Sequence, residues 1–388
     1  MRLTKRVSGI APSATLDISS KAKSMAKEGI DVVSFGAGEP DFDTPAHIKA
    51  QAIKAIHDGF TKYTPSSGTI ELREAIAKKF RCDNSIDYSP SQIVVSCGAK
   101  HSLYNAFQVI CEAGDEVLIP APYWLSYPEM VKMAEAKPVV VETEAKNNFK
   151  VTREALKKAI TKKTKAFILN SPSNPTGCVY DLDELKFIAS LAVENKFFVI
   201  SDEIYEKLIY DGKRHLSIAS LGKEIYDWTI TVNGVSKSYS MTGWRIGYAA
   251  GPKDVMDAFS NLQSHATSNP TSISQRAALA ALTESQQCVE EMRVEFEKRR
   301  DFMVSRINKI KKMGCVKPEG AFYVLCDISQ LKMGSAALAT RLLDEAKVAV
   351  IPGEPFGADS YIRLSFATGI DTIKKGLDRI EEWISKNG

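Results

Sequence analysis

The sequence has little net charge, few histidines, no paired cysteines and no long apolar run, and each shortage removes a class of function. Lys and Arg number 51 against 47 Asp and Glu, a formal charge of +4 over 388 residues. The densest basic run, Lys157-Lys158 through Lys162, Lys163 and Lys165, reads as one solvated helix end. Nucleic acid is therefore not an expected partner. No apolar stretch approaches the roughly 18 residues that a membrane helix needs, so no membrane association is expected. Arg2, Lys5 and Arg6 are followed by Ser8, Gly9 and Pro12, where a secretory signal carries its apolar region. Seven cysteines form an odd set without a C-x-x-C pair. That favours a reduced, cytoplasmic setting and argues against zinc. The five histidines are scattered and offer no ligand pair, so no metal is expected.

Several catalytic signatures are also missing. There is no G-x-x-x-x-G-K-[ST], no G-x-S-x-G and no H-E-x-x-H. The nearest dinucleotide-like string, Gly36-Ala37-Gly38, runs into Glu39-Pro40. Proline cannot sit inside the helix that a Rossmann turn must start, which weighs against a nicotinamide-dependent dehydrogenase.

What is present is an ordinary globular composition, 44% hydrophobic and 25% charged. At roughly 150 residues per domain the length allows two or three domains. From Gln92 to Gly251, short β-branched runs alternate with helical stretches. The strand candidates are Gln92–Ser96, Glu116–Ile119, Pro138–Val141, Ala166–Leu169, Phe197–Ile200, Thr229–Val232 and Arg245–Ala249. They are nearly continuous apolar runs, the pattern of strands buried on both faces. Asp181 and Glu184 form a capping box that starts a helix with Leu185, Ile188, Leu191 and Ala192 on one face. The expected fold class is α/β, a mostly parallel seven-stranded sheet between helices.

A long amphipathic helix follows near 285–313, with Val289, Met292, Phe296, Met303, Ile307 and Ile310 apolar and Glu295–Arg299 spaced as an i,i+4 pair. Beyond it come short strands, Ala321–Leu325, Val348–Ile351 and Tyr361–Phe366, with two amphipathic helices. This pattern predicts a large domain over 31–285 and a smaller α+β domain built from 1–30 and 286–388, joined by the long helix.

In an open parallel sheet, ligands bind beyond the carboxyl ends of the strands. Polar residues gather there: Asn170 to Gly177, Ser201-Asp202-Glu203 with Tyr205, and Ser236-Lys237. Cys97-Gly98-Ala99-Lys100 follows a strand and opens a helix, whose unpaired N–H groups make a phosphate site. In Tyr361–Phe366, alternation sets Ile362, Leu364 and Phe366 on one face and Arg363 on the other, so Arg363 turns to solvent or to a cleft between domains.

Six strings, GEPDFDTP (38–45), KYTPSSG (62–68), NSPSNPTG (170–177), SDEIYE (201–206), SKSYSMTGWRIGY (236–248) and YIRLSFA (361–367), resemble those of class I aminotransferases. These are pyridoxal-phosphate enzymes of fold type I, and the strings fall in the same order over nearly the whole chain. The resemblance implies that Lys237 forms the Schiff base with pyridoxal 5'-phosphate and then moves the substrate proton. Asp202 pairs with the ring nitrogen, and Asn174 and Tyr205 with the ring oxygen. Gly98, Ala99, Lys100 and Arg245 hold the phosphate, with Tyr63 reaching it from the second subunit of a homodimer. Trp124 stacks on the ring. Arg363 forks onto the substrate α-carboxylate, which Gly38 also meets through its backbone.

Substrate choice follows two branches of the resemblance. One branch of aspartate aminotransferases reads the distal carboxylate with an arginine ahead of a Ser-Asn-Pro string; here Ser268-Asn269-Pro270 is present but Ser264 stands at that position. A bacterial branch uses a Pro-Ser-Ala-Thr segment and a lysine at the phosphate helix, matched by Ser13, Thr15 and Lys100. Some of that branch also transaminate prephenate. A further departure is Gly234, where many relatives carry a phosphate-binding serine. The expected reaction is L-aspartate with 2-oxoglutarate by ping-pong transamination. Alternatives are prephenate, aromatic or alanine aminotransferases, a β-lyase, or a cofactor-sensing module of a transcription regulator. That last one needs an added helix-turn-helix, for which no room is expected ahead of residue 12.

Overall fold

The computed structural model describes residues 4–10 and 14–387. Seven strands form the main sheet: β1 Ile93–Ser96, β2 Glu116–Pro120, β3 Lys137–Val141, β4 Thr164–Asn170, β5 Phe198–Asp202, β6 Thr229–Gly234 and β7 Gly247–Ala250. Their order across the sheet is β1-β7-β6-β5-β4-β2-β3. The neighbours from β6 to β3 run parallel, while β7 runs against both β1 and β6. All seven strands match sequence expectations in number and sequence position, because β-branched runs of four to seven residues bury well on both sides of a parallel sheet. Two details differ. β3 is an edge strand, with Val140 42% exposed, so its apolar run is not covered on both faces. The last strand starts at Gly247 and not at Arg245, whose backbone takes a left-handed φ of 56° that ends strand geometry.

Helix α1 spans Ala14–Lys27, α2 Ala99–Ile110, α3 Leu182–Asn195, α4 Gln287–Ile307 and α5 Ile370–Asn387. The α3 capping box is made as read: Asp181 Oδ1 accepts from Glu184 N–H at 3.0 Å, and Glu184 Oε2 from Asp181 N–H at 2.7 Å. Leu185, Ile188, Leu191 and Ala192 are all buried on its inner face. α4 buries Val289, Met292, Phe296, Met303 and Ile307 as expected, but it ends at Ile307 and breaks into turns before Gly314, so Ile310 is buried from outside the helix. The helix also buries Arg300 completely, where the Asp211 carboxylate accepts a two-pronged bond at 2.8 and 2.9 Å.

A second sheet holds β8 Gly314–Cys315, β9 Tyr323–Asp327, β10 Ile351–Pro352 and β11 Tyr361–Ser365 in the antiparallel order β10-β11-β9-β8. The expected strand Val348–Ile351 is split. Val348–Ala349 pairs in parallel with Val33–Ser34, and the chain turns at Val350 to send Ile351–Pro352 to β11. Nonpolar side chains from α4, α5, β9 and β11 form one core cluster, and the faces of the main sheet form others. Among the described residues no helix is long and apolar enough to cross a membrane.

Candidate active site

A cavity of about 760 Å³ opens where β4, β5 and β6 end, against the second sheet. Register explains its floor: Asn170 and Val232 flank Asp202 on neighbouring strands. Asn170 then organises the turn that follows. Its Nδ2 donates to the Asp202 carbonyl at 3.0 Å, and its Oδ1 accepts from Asn174 N–H at 2.9 Å.

Asp202 is buried, and Tyr127 donates to its Oδ2 at 2.7 Å. Burial pushes its carboxyl up to about 6, with the Tyr127 and Ile204 hydrogen bonds opposing. Lys237 lies three residues beyond β6, and its Nζ donates to the Gly38 carbonyl at 2.5 Å. Burial, aided by Arg363 and Arg245, outweighs Glu39 and Asp202 and brings its amine down to about 8. Tyr205 shares a hydrogen bond of 2.9 Å with Tyr323. Lys100 lies over Trp124, its Nζ 4.9 Å from a ring centroid, and burial and then Arg245 lower its pKa. Trp124 in turn packs edge-on against Tyr127 at 5.2 Å.

The start of α2 is shaped by two glycines. A Cβ on Gly98, whose φ is 91°, would stand 2.5 Å from Arg245 Nη2, and one on Gly247 would collide with the backbone nitrogen of Ala99. Arg245 therefore lies across the helix start, donating to the carbonyls of Thr242 at 2.9 Å and Cys97 at 3.3 Å. Because β7 runs antiparallel, the residues before it sit at the edge where its parallel neighbours end. At Gly234 a Cβ would meet Gly247 Cα and the Ile246 carbonyl at 3.0 Å, so the position has no ready space for a serine side chain.

Arg363 is 2% exposed and faces the cleft, not solvent. Its Nη1 donates to Asn174 Oδ1 at 3.1 Å and its Nη2 to the Gly36 carbonyl at 3.2 Å, while its Nε is buried without a partner. The guanidinium is stacked on Tyr323 at 4.3 Å and lies 5.3 Å from the Phe356 ring centre.

Of the residues expected from sequence, Gly38, Ala99, Lys100, Trp124 and Asn174 line this one cavity, together with Asp202, Tyr205, Lys237, Arg245 and Arg363. Gly98 underlies Arg245. Tyr63 is not brought in: it is 90% exposed. Ser13 lies outside the described residues, as does the side chain of Thr15, whose backbone belongs to α1. Asn170, which opens the polar stretch noted after β4, organises the site's turn, and Tyr127 and Tyr323 complete the site without a sequence signal. Tyr127 follows Trp124 by three residues, and Tyr323 occupies an apolar strand run, so both read as core. A separate buried group lies beyond Asp202 in the chain. Glu203, Glu206 and His215 bring ligand atoms within 4.8 Å of one another, a grouping not anticipated from scattered histidines, and Lys79 pairs with Glu206 there.

The residues fit pyridoxal phosphate. A half-buried lysine amine, a buried carboxyl, a helix start cleared of side chains beside an arginine, and an unpartnered buried guanidinium nitrogen converge on one space. That constellation on this sheet defines an aminotransferase fold, the fold type I of pyridoxal-phosphate transferases. Residues 30–380 match the family described as aminotransferase class I and II, and the chain belongs to it. An aspartate aminotransferase of Bacillus sp. (strain YM-2) is 52% identical over 98% of this chain and 99% of its own. A probable aspartate/prephenate aminotransferase of Aquifex aeolicus is 48% identical over 98% of each. Among solved structures, an aspartate aminotransferase from Thermus thermophilus with maleate superposes with a TM-score of 0.95 at 44% identity, covering 98% of this chain and 100% of that one. The chain is a transaminase.

Proposed function

We propose that this transaminase uses pyridoxal phosphate to exchange the amino group of L-aspartate with 2-oxoglutarate. The observation that carries the reading is the convergence of Lys237, Asp202, the Gly98–Arg245 seat and Arg363 on one cavity. Once bound, the cofactor supplies an electron-withdrawing ring that stabilises charge developing at the substrate Cα.

The chain's own residues do the rest. Lys237 holds the group covalently and, when displaced, moves the proton at Cα; an amine brought down to about 8 can both take and give it near neutrality. Asp202 holds a proton at the ring nitrogen, and Tyr127 fixes its orientation. Since Arg363 only donates, Asn174 turns its oxygen to Arg363 and keeps its NH2 for the ring oxygen, beside the Tyr205 hydroxyl. N–H groups at Gly98, Ala99 and Lys100, with Arg245, receive the phosphate. Trp124 covers the ring. Arg363 and Gly38 hold the α-carboxylate, and Lys100, Ser13 and Thr15 the distal one. The amino acid leaves its amino group at the site and departs as its oxo acid, whose new oxygen comes from water, and a second oxo acid takes that amino group up and returns the water. The cleft between the two sheets shelters the proton transfer at Cα from bulk water.

Relatives named for both aspartate and prephenate support prephenate as a second substrate. Tyr63 is largely exposed, and Ile53, Ile56 and Ile70 are exposed apolar residues as well; these support a homodimer in which each chain completes the other's phosphate site. Seven free cysteines fit a cytoplasmic setting. The two sheets support a large domain over 31–285 and a small one from 1–30 and 286–388, with Val33–Ser34 pairing to Val348–Ala349 and Ile204, Leu208 and Tyr210 packing into the small domain's core at the seam.

Purified protein with pyridoxal phosphate should turn yellow, and borohydride should fix the group on Lys237; a colourless protein overturns the reading. A panel of amino donors with one oxo acid tests the substrate, and negligible turnover of aspartate would sink that choice. Lys100→Ala should weaken maleate and aspartate by about tenfold while sparing alanine, as expected for a lost charged hydrogen bond. Equal losses on both donors contradict the role given to Lys100.

A further inference from the structure

Tyr323 is buried, lines the cavity and has no part in the scheme above. It opens β9, directly opposite Ser365 of β11, while Leu325 lies opposite Arg363. Tyr323 and Arg363 are thus diagonal neighbours on one face of the pair, close enough for a large ring to reach. The guanidinium carbon lies 4.3 Å from the ring centroid, a cation–π contact. At its other end the hydroxyl lies 2.9 Å from that of Tyr205, and it faces Gly38, where an added Cβ would be 3.7 Å away. One side chain therefore touches the residue assigned to the ring oxygen and the residue assigned to the α-carboxylate.

Hydrogen counting gives this contact a consequence. A tyrosine hydroxyl has one hydrogen to donate, so two hydroxyls sharing a bond place one hydrogen between them and leave one free. If Tyr205 donates to Tyr323, nothing remains for the ring oxygen. If Tyr323 donates to Tyr205, the Tyr205 hydrogen is released to the cavity and made a stronger donor by the bond it accepts. Burial raises the pKa of both phenols, so neither loses its hydrogen near neutrality.

We propose that Tyr323 is a positioning residue that donates to Tyr205, turning the Tyr205 hydrogen toward the cofactor's ring oxygen, and that its stacking under Arg363 ties this bond to carboxylate binding. The inference rests on the cofactor reading above.

The test is a visible-absorption pH titration of the holoenzyme, with and without maleate. In Tyr323→Phe the ring platform stays and only the donated hydrogen is lost. The chromophore midpoint should rise by roughly half a pH unit, about threefold in proton affinity, because a less supported donor stabilises the ionised ring oxygen less. The displacement of the midpoint by maleate should shrink, while maleate affinity stays within about twofold because the cation–π contact remains. In a Tyr205→Phe background, adding Tyr323→Phe should change the midpoint no further. Wild-type behaviour of Tyr323→Phe, or an undiminished extra shift in the Tyr205→Phe background, overturns the proposal. A wild-type protein that forms no borohydride-fixable chromophore refutes the cofactor reading itself, and this proposal falls with it.

Discussion

Asp202 is held in a state that its fold disfavours. Burial brings its carboxyl up to about 6, above the ordinary 3.8, so the native chain binds that proton more tightly than the unfolded chain does. Stability of the cofactor-free protein therefore falls as pH rises through the interval between those values, and the full penalty stands above it. A shift of this size corresponds to about 3 kcal/mol. Asp202→Asn should accordingly raise the melting temperature of the cofactor-free protein at pH 8 by a few degrees, with the difference closing below about pH 4, while abolishing turnover. Calorimetry across that range checks it, and a pH-independent difference would contradict the assignment. Lys237 gives a companion expectation. With its amine brought down to about 8, the rate of yellow colour formation on adding cofactor should rise with pH through that value. A midpoint above pH 10, the region of an ordinary lysine, would refute it. These residues were visible in the sequence because polar groups interrupt apolar runs where strands end. Tyr127 and Tyr323 were not, because a tyrosine inside a helix or strand has the same pattern whether its hydroxyl meets a catalytic group or merely a neighbour.

Strands and helices were legible where burial alone decides them, as in β4 to β6 and the capped α3. They were less so where backbone approach decides. Nothing in the run RIGYA announces that Arg245 takes a left-handed φ or that Gly247 presses on Ala99. Those contacts depend on α2, nearly 150 residues earlier in the chain. The antiparallel β7 delivers Arg245 to the ligand edge by its beginning, where its parallel neighbours deliver residues by their ends. Gly98 keeps the space over α2 clear for that arginine. Gly98→Ala should therefore reduce the preference for pyridoxal phosphate over unphosphorylated pyridoxal by about tenfold or more, the scale of a charged hydrogen bond. Absorbance titrations with the two compounds give the ratio, and an unchanged ratio would show that Arg245 does not need the gap.

At the scale of the whole molecule, the exposed Tyr63 separates a self-sufficient chain from one that shares its sites. Chains carrying Tyr63→Ala and chains carrying Lys237→Ala should each be impaired alone. Refolded together, they should regain activity, because a mixed dimer rebuilds one native site; random pairing gives about a quarter of the wild-type value. No gain over the parents would place Tyr63 outside catalysis. The Arg363 guanidinium has a different whole-molecule meaning. Among the described residues no carboxylate pairs with it; two oxygen dipoles and two ring faces are all that answer a charge sealed from water. Any small carboxylate that reaches it supplies the missing counter-charge and is taken up by the folded chain alone. Heat tolerance then becomes a gauge of the surrounding pool of organic acids, and the protein is sturdiest where its own reactants are plentiful.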